Sequence, residues 1–195
     1  YFATTHLRSK TGLGLILHLG AKARELPEGR LAIADPSGLL KCRRMQQYAL
    51  IYATENRVQT KVFMRRIWDN GHYVEARLRK AIVFGIEEAG GTWEANLKLN
   101  LPGLFLGGET DMVVRFSDGE WILDFKGWNR ERYTELTKAP DYYVVQMHAY
   151  MLMTNIRQAV LVFENKDSQF LKQIVIKWSQ ALWDDILERV IKPVL

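Results

Sequence analysis

The sequence predicts an α/β fold, in which helices pack against a sheet of strands. Two helical stretches, at 36–54 and 57–89, precede an alternating β-hairpin at 107–127. A further helix at 140–154 separates this hairpin from AVLVF at 159–163, a short apolar run typical of a buried strand. The chain has 195 residues, of which 48% are hydrophobic, enough for one domain with a substantial core. We therefore expect a single domain over residues 31–195, preceded by an N-terminal arm or hairpin at 1–30.

The two predicted helices differ in how clearly they begin and end. Asp35-Pro36 is a good start signal for the first helix, because aspartate caps well and proline suits the first helical position. In the second helical region, Gly71 interrupts the pattern. A glycine there predicts either a break near 69–70 or a close approach by another backbone.

The charge of the chain is basic and is concentrated in this second helical region. The net charge is +5 and the isoelectric point is about 9.3, which fits a polyanionic partner such as nucleic acid. The basic side chains could follow a nucleic-acid backbone, or they could simply be solvated. They are Arg65, Arg66, Arg77, Arg79 and Lys80.

The hairpin at 107–127 carries the chemistry. Asp118-Gly119 is a strong signal for a two-residue turn, and a turn there places Asp111 directly across from Lys126. Because side chains alternate along a strand, Asp111, Asp124 and Lys126 share one face of the hairpin. The other face is apolar, with Met112, Val114, Phe116, Trp121, Leu123 and Phe125.

The paired carboxylates predict a cation site. Two carboxylates about 4 Å apart repel each other by about 4 kcal/mol at an effective dielectric near 20, so such a pair usually shares a proton or holds a cation. Oxygen ligands favour Mg²⁺ or Mn²⁺, and a neighbouring lysine can stabilise charge on a phosphate. The alternative is an ordinary Asp–Lys pair on a solvated sheet face. In either case the side chains are expected to face away from the apolar face, so that replacing Asp124 or Lys126 costs little stability.

The segments after the hairpin could border this site. Trp128 and Tyr133 lie in a polar, charged stretch and could stack on bases or could anchor a loop to the core. On the helix at 140–154, Gln146 and Tyr150 are four residues apart and therefore share a face. A strand at 171–178 should pair with 159–163, and Ser179 should cap a closing amphipathic helix.

These residues resemble a known pattern. Asp111 followed by Asp124-x-Lys126 resembles the motifs of the PD-(D/E)xK nuclease superfamily, although Thr110 stands where many members have proline. Gln146-x-x-x-Tyr150 is similar to the QxxxY motif of the RecB-like exonuclease branch.

Upstream, Gly71-x-x-x-Glu75 resembles that branch's glycine followed four residues on by histidine or glutamate. The resemblance covers roughly residues 35–178, with the motifs in the expected order. The viral and mitochondrial genome-maintenance exonucleases share this motif set.

The resemblance implies a restriction-endonuclease-like core with a mixed central sheet flanked by helices. It further implies Mg²⁺ or Mn²⁺ held by Asp111, Asp124, the Phe125 carbonyl and Glu75. Lys126 would orient or deprotonate the attacking water and stabilise the phosphate. Gln146 and Tyr150 would position the scissile strand.

The function implied is a metal-dependent DNA exonuclease that prefers single-stranded ends and serves DNA recombination or repair. The alternatives are a structure-specific endonuclease of the same fold and a catalytically inactive nucleic-acid-binding module. The single cysteine, Cys42, cannot by itself hold the iron–sulfur cluster of some relatives, so no cluster is expected. We expect an intracellular protein without a membrane partner, cytoplasmic in a bacterium or virus-infected cell, or located in the mitochondrial matrix.

Overall fold

The computed structural model describes residues 36–40, 46, 62–104 and 106–193. The arm expected at 1–30 and most of the helix predicted at 36–54 lie outside the described residues, apart from a 3₁₀ turn at Pro36–Gly38. Among the described helices, none combines the length and the apolar character needed to cross a membrane.

A five-stranded sheet forms the centre of the molecule, with its strands in chain order. The first three strands and the last two form antiparallel ladders, whereas β3 and β4 run parallel. The sheet is therefore mixed, as predicted. Its strands are β1 (Thr92–Leu101), β2 (Leu106–Phe116), β3 (Gly119–Trp128), β4 (Gln158–Asn165) and β5 (Leu171–Lys177).

Helices cover both faces of this sheet. Helix α1 (Val62–Glu88) packs on one face, where Val74, Leu78 and Ile86 meet Met112, Val114 and Phe125. The short α2 (Arg130–Glu135) and the longer α3 (Asp141–Thr154) connect β3 to the parallel strand β4. Helix α3 packs on the other face, where Met147, Tyr150 and Met151 meet Val113, Ile122 and Phe163. The predicted α/β class, with a mixed sheet flanked by helices, is confirmed.

Gly71 does not interrupt α1, so the expected break near 69–70 is wrong. The helix runs through it for 27 residues in all. No described residue approaches Gly71 closely either, because a Cβ added there would meet nothing within 4 Å in the described part of the chain. Gly71 instead borders an open cavity, described below.

The hairpin forms where it was predicted, but its register differs by two residues. Phe116 pairs with Gly119, so the loop is Ser117–Asp118 and Gly119 begins β3. Neither Ser117 nor Asp118 has the positive φ that a type I′ turn requires. Because the shift is even, each side chain stays on its predicted face, but the residue opposite Asp111 changes.

The alternative of a solvated sheet face does not hold for the middle of the hairpin. Val113 and Ile122, on the face of Asp111 and Asp124, are fully buried under α3. Both faces are therefore covered at this point, and the charged side chains of the hairpin lie towards its two ends. Arg115 lies at the turn end and pairs there with Glu94 and Glu120.

The C-terminal helix begins as predicted. Ser179 caps α4 (Gln180–Ile186) by accepting a hydrogen bond from the Leu182 amide at 3.3 Å, and a π-helical turn (Leu187–Ile191) continues it. The Ser179 amide in turn donates to Nε2 of the buried His148, whose Nδ1 lies 2.8 Å from the Val144 carbonyl. These partners suit a neutral imidazole that donates from Nδ1 and accepts at Nε2.

His148 should make the fold sensitive to acid. Burial lowers its pKa below the ordinary 6.5, against the opposing effect of its bond to Val144, so the unfolded chain takes up a proton before the folded one does. The free energy of unfolding should therefore fall as the pH drops below 6.5. The free energy of unfolding, measured by urea titration between neutral pH and about pH 5, should decline less with falling pH for His148→Gln than for the parent. An equal decline in both would contradict this assignment, and His72→Gln, which alters an exposed histidine, serves as control.

Candidate active site

Strands β2 and β3 separate at the end of the hairpin farthest from its turn. Their ladder stops at the pair Met112–Leu123, and one step further the register sets Asp111 across from Asp124. Strand β3 continues beyond this point alongside β4. The Phe125 amide donates a hydrogen bond to Asp111 Oδ2 at 2.7 Å, which fixes that carboxylate at the opening. The two predicted carboxylates are thus brought together more directly than the predicted register allowed.

Lys126 pairs with Asp124 rather than standing across from Asp111. Its Nζ lies 2.6 Å from Asp124 Oδ2, and the two side chains are 18% and 2% exposed. Removing one member of such a pair leaves the other as an uncompensated buried charge, which is strongly destabilising. This burial argues against the expectation that Lys126 can be replaced at little cost to stability.

Helix α1 brings Glu75 to the same place. Its carboxylate forms an ion pair with Arg79, one turn further along the helix, and its other oxygen lies 3.8 Å from His72 Nδ1. Arg79 also donates to Asn96 Oδ1 at 2.7 Å. Both terminal nitrogens of this guanidinium are bound to the protein, one to Glu75 and one to Asn96, and Arg79 thus holds Glu75 in position. The expected contact of Arg79 with a nucleic-acid backbone stays a prediction.

Asn96 is unusual within its strand. It has a φ of 56°, in the left-handed region that asparagine tolerates better than most residues. In the β1–β2 register it falls opposite Asp111, and its Nδ2 donates to Glu109 at 2.6 Å. The Asn96 side chain therefore connects β1, on which it lies, and Glu109 of β2 to Arg79. Arg79 in turn pairs with Glu75.

The electrostatics of the site reflect a local excess of carboxylates. Burial raises the pKa of Asp111, and nearby Glu75 adds to this effect while Lys126 opposes it. Burial alone would lower the pKa of Lys126, but the negative charges of Asp124 and Asp111 outweigh it and hold that pKa above its ordinary value. Lys126 is consequently held in its charged form. Additional positive charge near Asp111 would favour the ionised form of that carboxyl.

An open cavity of about 400 Å³ is lined by Glu75, Asp111 and Lys126. Several of its other lining residues were not predicted. One is Tyr143, whose ring centroid lies 4.9 Å from Lys126 Nζ and whose pKa burial raises to about 12. Tyr143 is on α3, three residues before Gln146, and that helical spacing could have indicated it. The other unpredicted lining residues are His72, Gly127, Arg132 and Lys166.

Gln146 and Tyr150 meet as their spacing predicted, but behind the cavity and not in its lining. Gln146 Nε2 donates to the Tyr150 hydroxyl at 3.3 Å, and both residues are buried. The Tyr150 ring packs on Gly108, where a Cβ would lie 3.3 Å from it. This places the pair under the strand that carries Asp111.

The two candidate stacking residues have different surroundings. Tyr133 is buried in the core, so the structure supports the loop-anchor interpretation and not base stacking. Trp128 is half-buried, with its ring 4.8 Å from that of Phe163, and it lines the cavity. Lys80 is exposed on α1, and the side chains of Arg65 and Arg66 lie outside the described part of the molecule.

The donor set suits a hard divalent cation. Asp111, Asp124 and Glu75 offer only oxygen ligands, and burial, which raises the pKa of Asp111, makes a nearby positive charge favourable for its ionised form. Each carboxylate nevertheless has a protein partner, and within the described ranges no three acidic, histidine or cysteine side chains form a group ready to hold a metal. The chemistry fits Mg²⁺ or Mn²⁺, and binding would require side-chain rearrangement.

Solved structures share this fold. LHK-Exo, an alkaline exonuclease from Laribacter hongkongensis, matches with a TM-score of 0.60 and 19% identity, over 82% of this chain and 84% of that chain. Its complex with dAMP gives a TM-score of 0.62 with the same identity and coverage. A phage-related exonuclease from Haemophilus somnus matches with a TM-score of 0.53 and 17% identity, over 80% of this chain and 89% of that one. At these identities the likeness establishes the fold.

In sequence, no family model matches the chain, and a search of curated proteins gives no significant match.

Proposed function

We propose that this protein is a metal-dependent DNA exonuclease with a preference for single-stranded ends. The observation that carries the proposal is the opening between β2 and β3, where Asp111 and Asp124 face each other beside the Lys126 ammonium. The fold shared with two exonucleases, one of them solved with dAMP, supports DNA as the substrate. The nuclease domain would comprise residues 31–195.

The carboxylates of Asp111, Asp124 and Glu75, with the Phe125 carbonyl, would hold Mg²⁺ or Mn²⁺. When bound, such an ion activates water and neutralises charge on the phosphate. Arg79 and Asn96 hold Glu75 in place for this task.

Lys126 stabilises negative charge on the phosphate as the bond to the leaving oxygen breaks. Its raised pKa keeps it protonated at neutral pH, so donation of hydrogen bonds to phosphate oxygens is favoured over removal of a proton from water. Gln146 and Tyr150 support the scissile strand indirectly, through the position of β2.

An inactive nucleic-acid-binding module is the second candidate. It is favoured by the ion pairs and hydrogen bond that already occupy the three carboxylates. Cleavage under divalent cations distinguishes it from an enzyme.

End dependence tests the proposed function. The opening lies where the interior strands β2 and β3 separate at the end of their ladder, and it needs an exposed phosphodiester. Linear single-stranded DNA should therefore be degraded quickly in Mg²⁺ or Mn²⁺ and blunt duplex more slowly. A covalently closed circle of the same sequence should resist. Gel analysis of linear and circular forms at matched salt measures this, and equal rates would indicate an endonuclease.

A further inference from the structure

A second cavity, of about 630 Å³, lies beside the candidate active site along α1. The side chain of Tyr73 lines it and is 69% exposed, so the face of its ring is accessible to a ligand. The amide side chains of Asn70 and Gln169 also line it. Arg77 lies in its wall with its charge matched by an ion pair to the buried Glu164. None of these residues is used by the chemistry described above.

Lys166 connects this second cavity to the active-site cavity. Among the described residues it alone lines both, and it follows β4 directly. Its backbone amide donates to the Trp128 carbonyl at 2.8 Å, which fixes the residue next to the end of β3. Its side chain crosses Gly127, where a Cβ would lie 2.7 Å from the Lys166 Cε. The glycine after Lys126 therefore makes room for this lysine.

The charge of Lys166 is not neutralised by a neighbour. No carboxylate forms an ion pair with it in the part of the chain that the structure describes, whereas Arg77, Arg79 and Lys126 all have such partners. A half-buried, unpaired ammonium between two open cavities suits a ligand with repeating negative charge.

We propose that Lys166 and the second cavity bind the part of a single-stranded nucleic acid that extends beyond the scissile phosphate. Lys166 contacts a backbone phosphate between the two cavities, and Tyr73 stacks on a base in the second. This rests on the proposed function, since it continues the strand from that site. Unpaired charge with an exposed aromatic ring is the combination that binds single strands without reading sequence.

The test is the salt dependence of binding, measured in EDTA so that binding is separated from cleavage. Fluorescence anisotropy of a labelled single-stranded oligonucleotide gives the slope of log K against log salt concentration. For Lys166→Gln the slope should be shallower by about 0.7, the value of one single-strand phosphate contact. Lys166→Arg should retain the parental slope. Lys177→Gln, which removes an equal charge from an exposed lysine at the opposite end of the β4–β5 ladder, should also retain it.

Tyr73 gives an independent measurement. Tyr73→Ala should weaken binding about 5-fold or more, as expected for loss of one stacked base, whereas Tyr73→Phe should bind like the parent. A parental slope in Lys166→Gln together with parental affinity in Tyr73→Ala would overturn the proposal. Because cleavage is assayed separately, a parent that binds through Lys166 but does not cut would refute the nuclease and leave this binding site in place. A parent that cuts DNA, while Lys166→Gln and Tyr73→Ala bind normally, would support the nuclease and refute this binding site.

Discussion

Asp124→Asn should lower the rate of DNA cleavage by about 10³-fold or more. The change keeps the size of the side chain but removes the charge that faces Asp111 and pairs with Lys126. Several kcal/mol of transition-state stabilisation depend on this charge in a metal-assisted reaction, and each 1.4 kcal/mol corresponds to a factor of ten in rate. The initial rate of nucleotide release from a linear single-stranded oligonucleotide measures the effect.

Asp118→Asn is the matched control for this variant. Asp118 is exposed in the turn of the same hairpin, at the end farthest from the site. It should retain the parental rate. Near-parental cleavage by Asp124→Asn would show that the active site lies elsewhere.

Lys126→Met should lose cleavage and also destabilise the fold by about 3–5 kcal/mol. Methionine fills a similar volume but leaves the carboxylate of Asp124, which is 2% exposed, without its cation. The free energy of unfolding from urea titration measures the loss. Lys98→Met, which alters an exposed lysine on β1, should change stability by no more than about 0.5 kcal/mol.

A double variant separates the two consequences of this change. Asp124→Asn combined with Lys126→Met removes both charges, so much of the lost stability should return while cleavage stays absent. If the double variant lost as much free energy of unfolding as the two single variants together, a direct charge interaction between these residues would be contradicted.

The sequence was informative wherever the argument depended on local periodicity. The period of two placed Asp111, Asp124 and Lys126 on one face, and that result survived a register error because the shift was even. The spacing of four brought Gln146 to Tyr150, and Ser179 capped its helix as predicted. In each case the residues that interact are close along the chain or paired by a short turn.

The wrong predictions concern contacts between elements that are distant in the sequence. Whether a strand face is solvated depends on which helix covers it, and the burial of Val113 and Ile122 by α3 is a tertiary effect. Tyr133 was equally consistent with a base-stacking and a core position until its neighbours were known. Lys166 lay outside every motif, because its place beside Gly127 and Trp128 depends on β3 running parallel to β4.

The measurement that tests the central claim most directly is a calorimetric titration of the metal-free protein with Mg²⁺ and Mn²⁺. If Asp111 and Asp124 form a cation site, the parent should give a saturable heat of binding. The Asp111→Ala, Asp124→Ala double variant, checked for folding by circular dichroism, should give none. No heat from the parent, or unchanged heat from a folded double variant, would contradict the assignment of a metal-dependent active site to this hairpin.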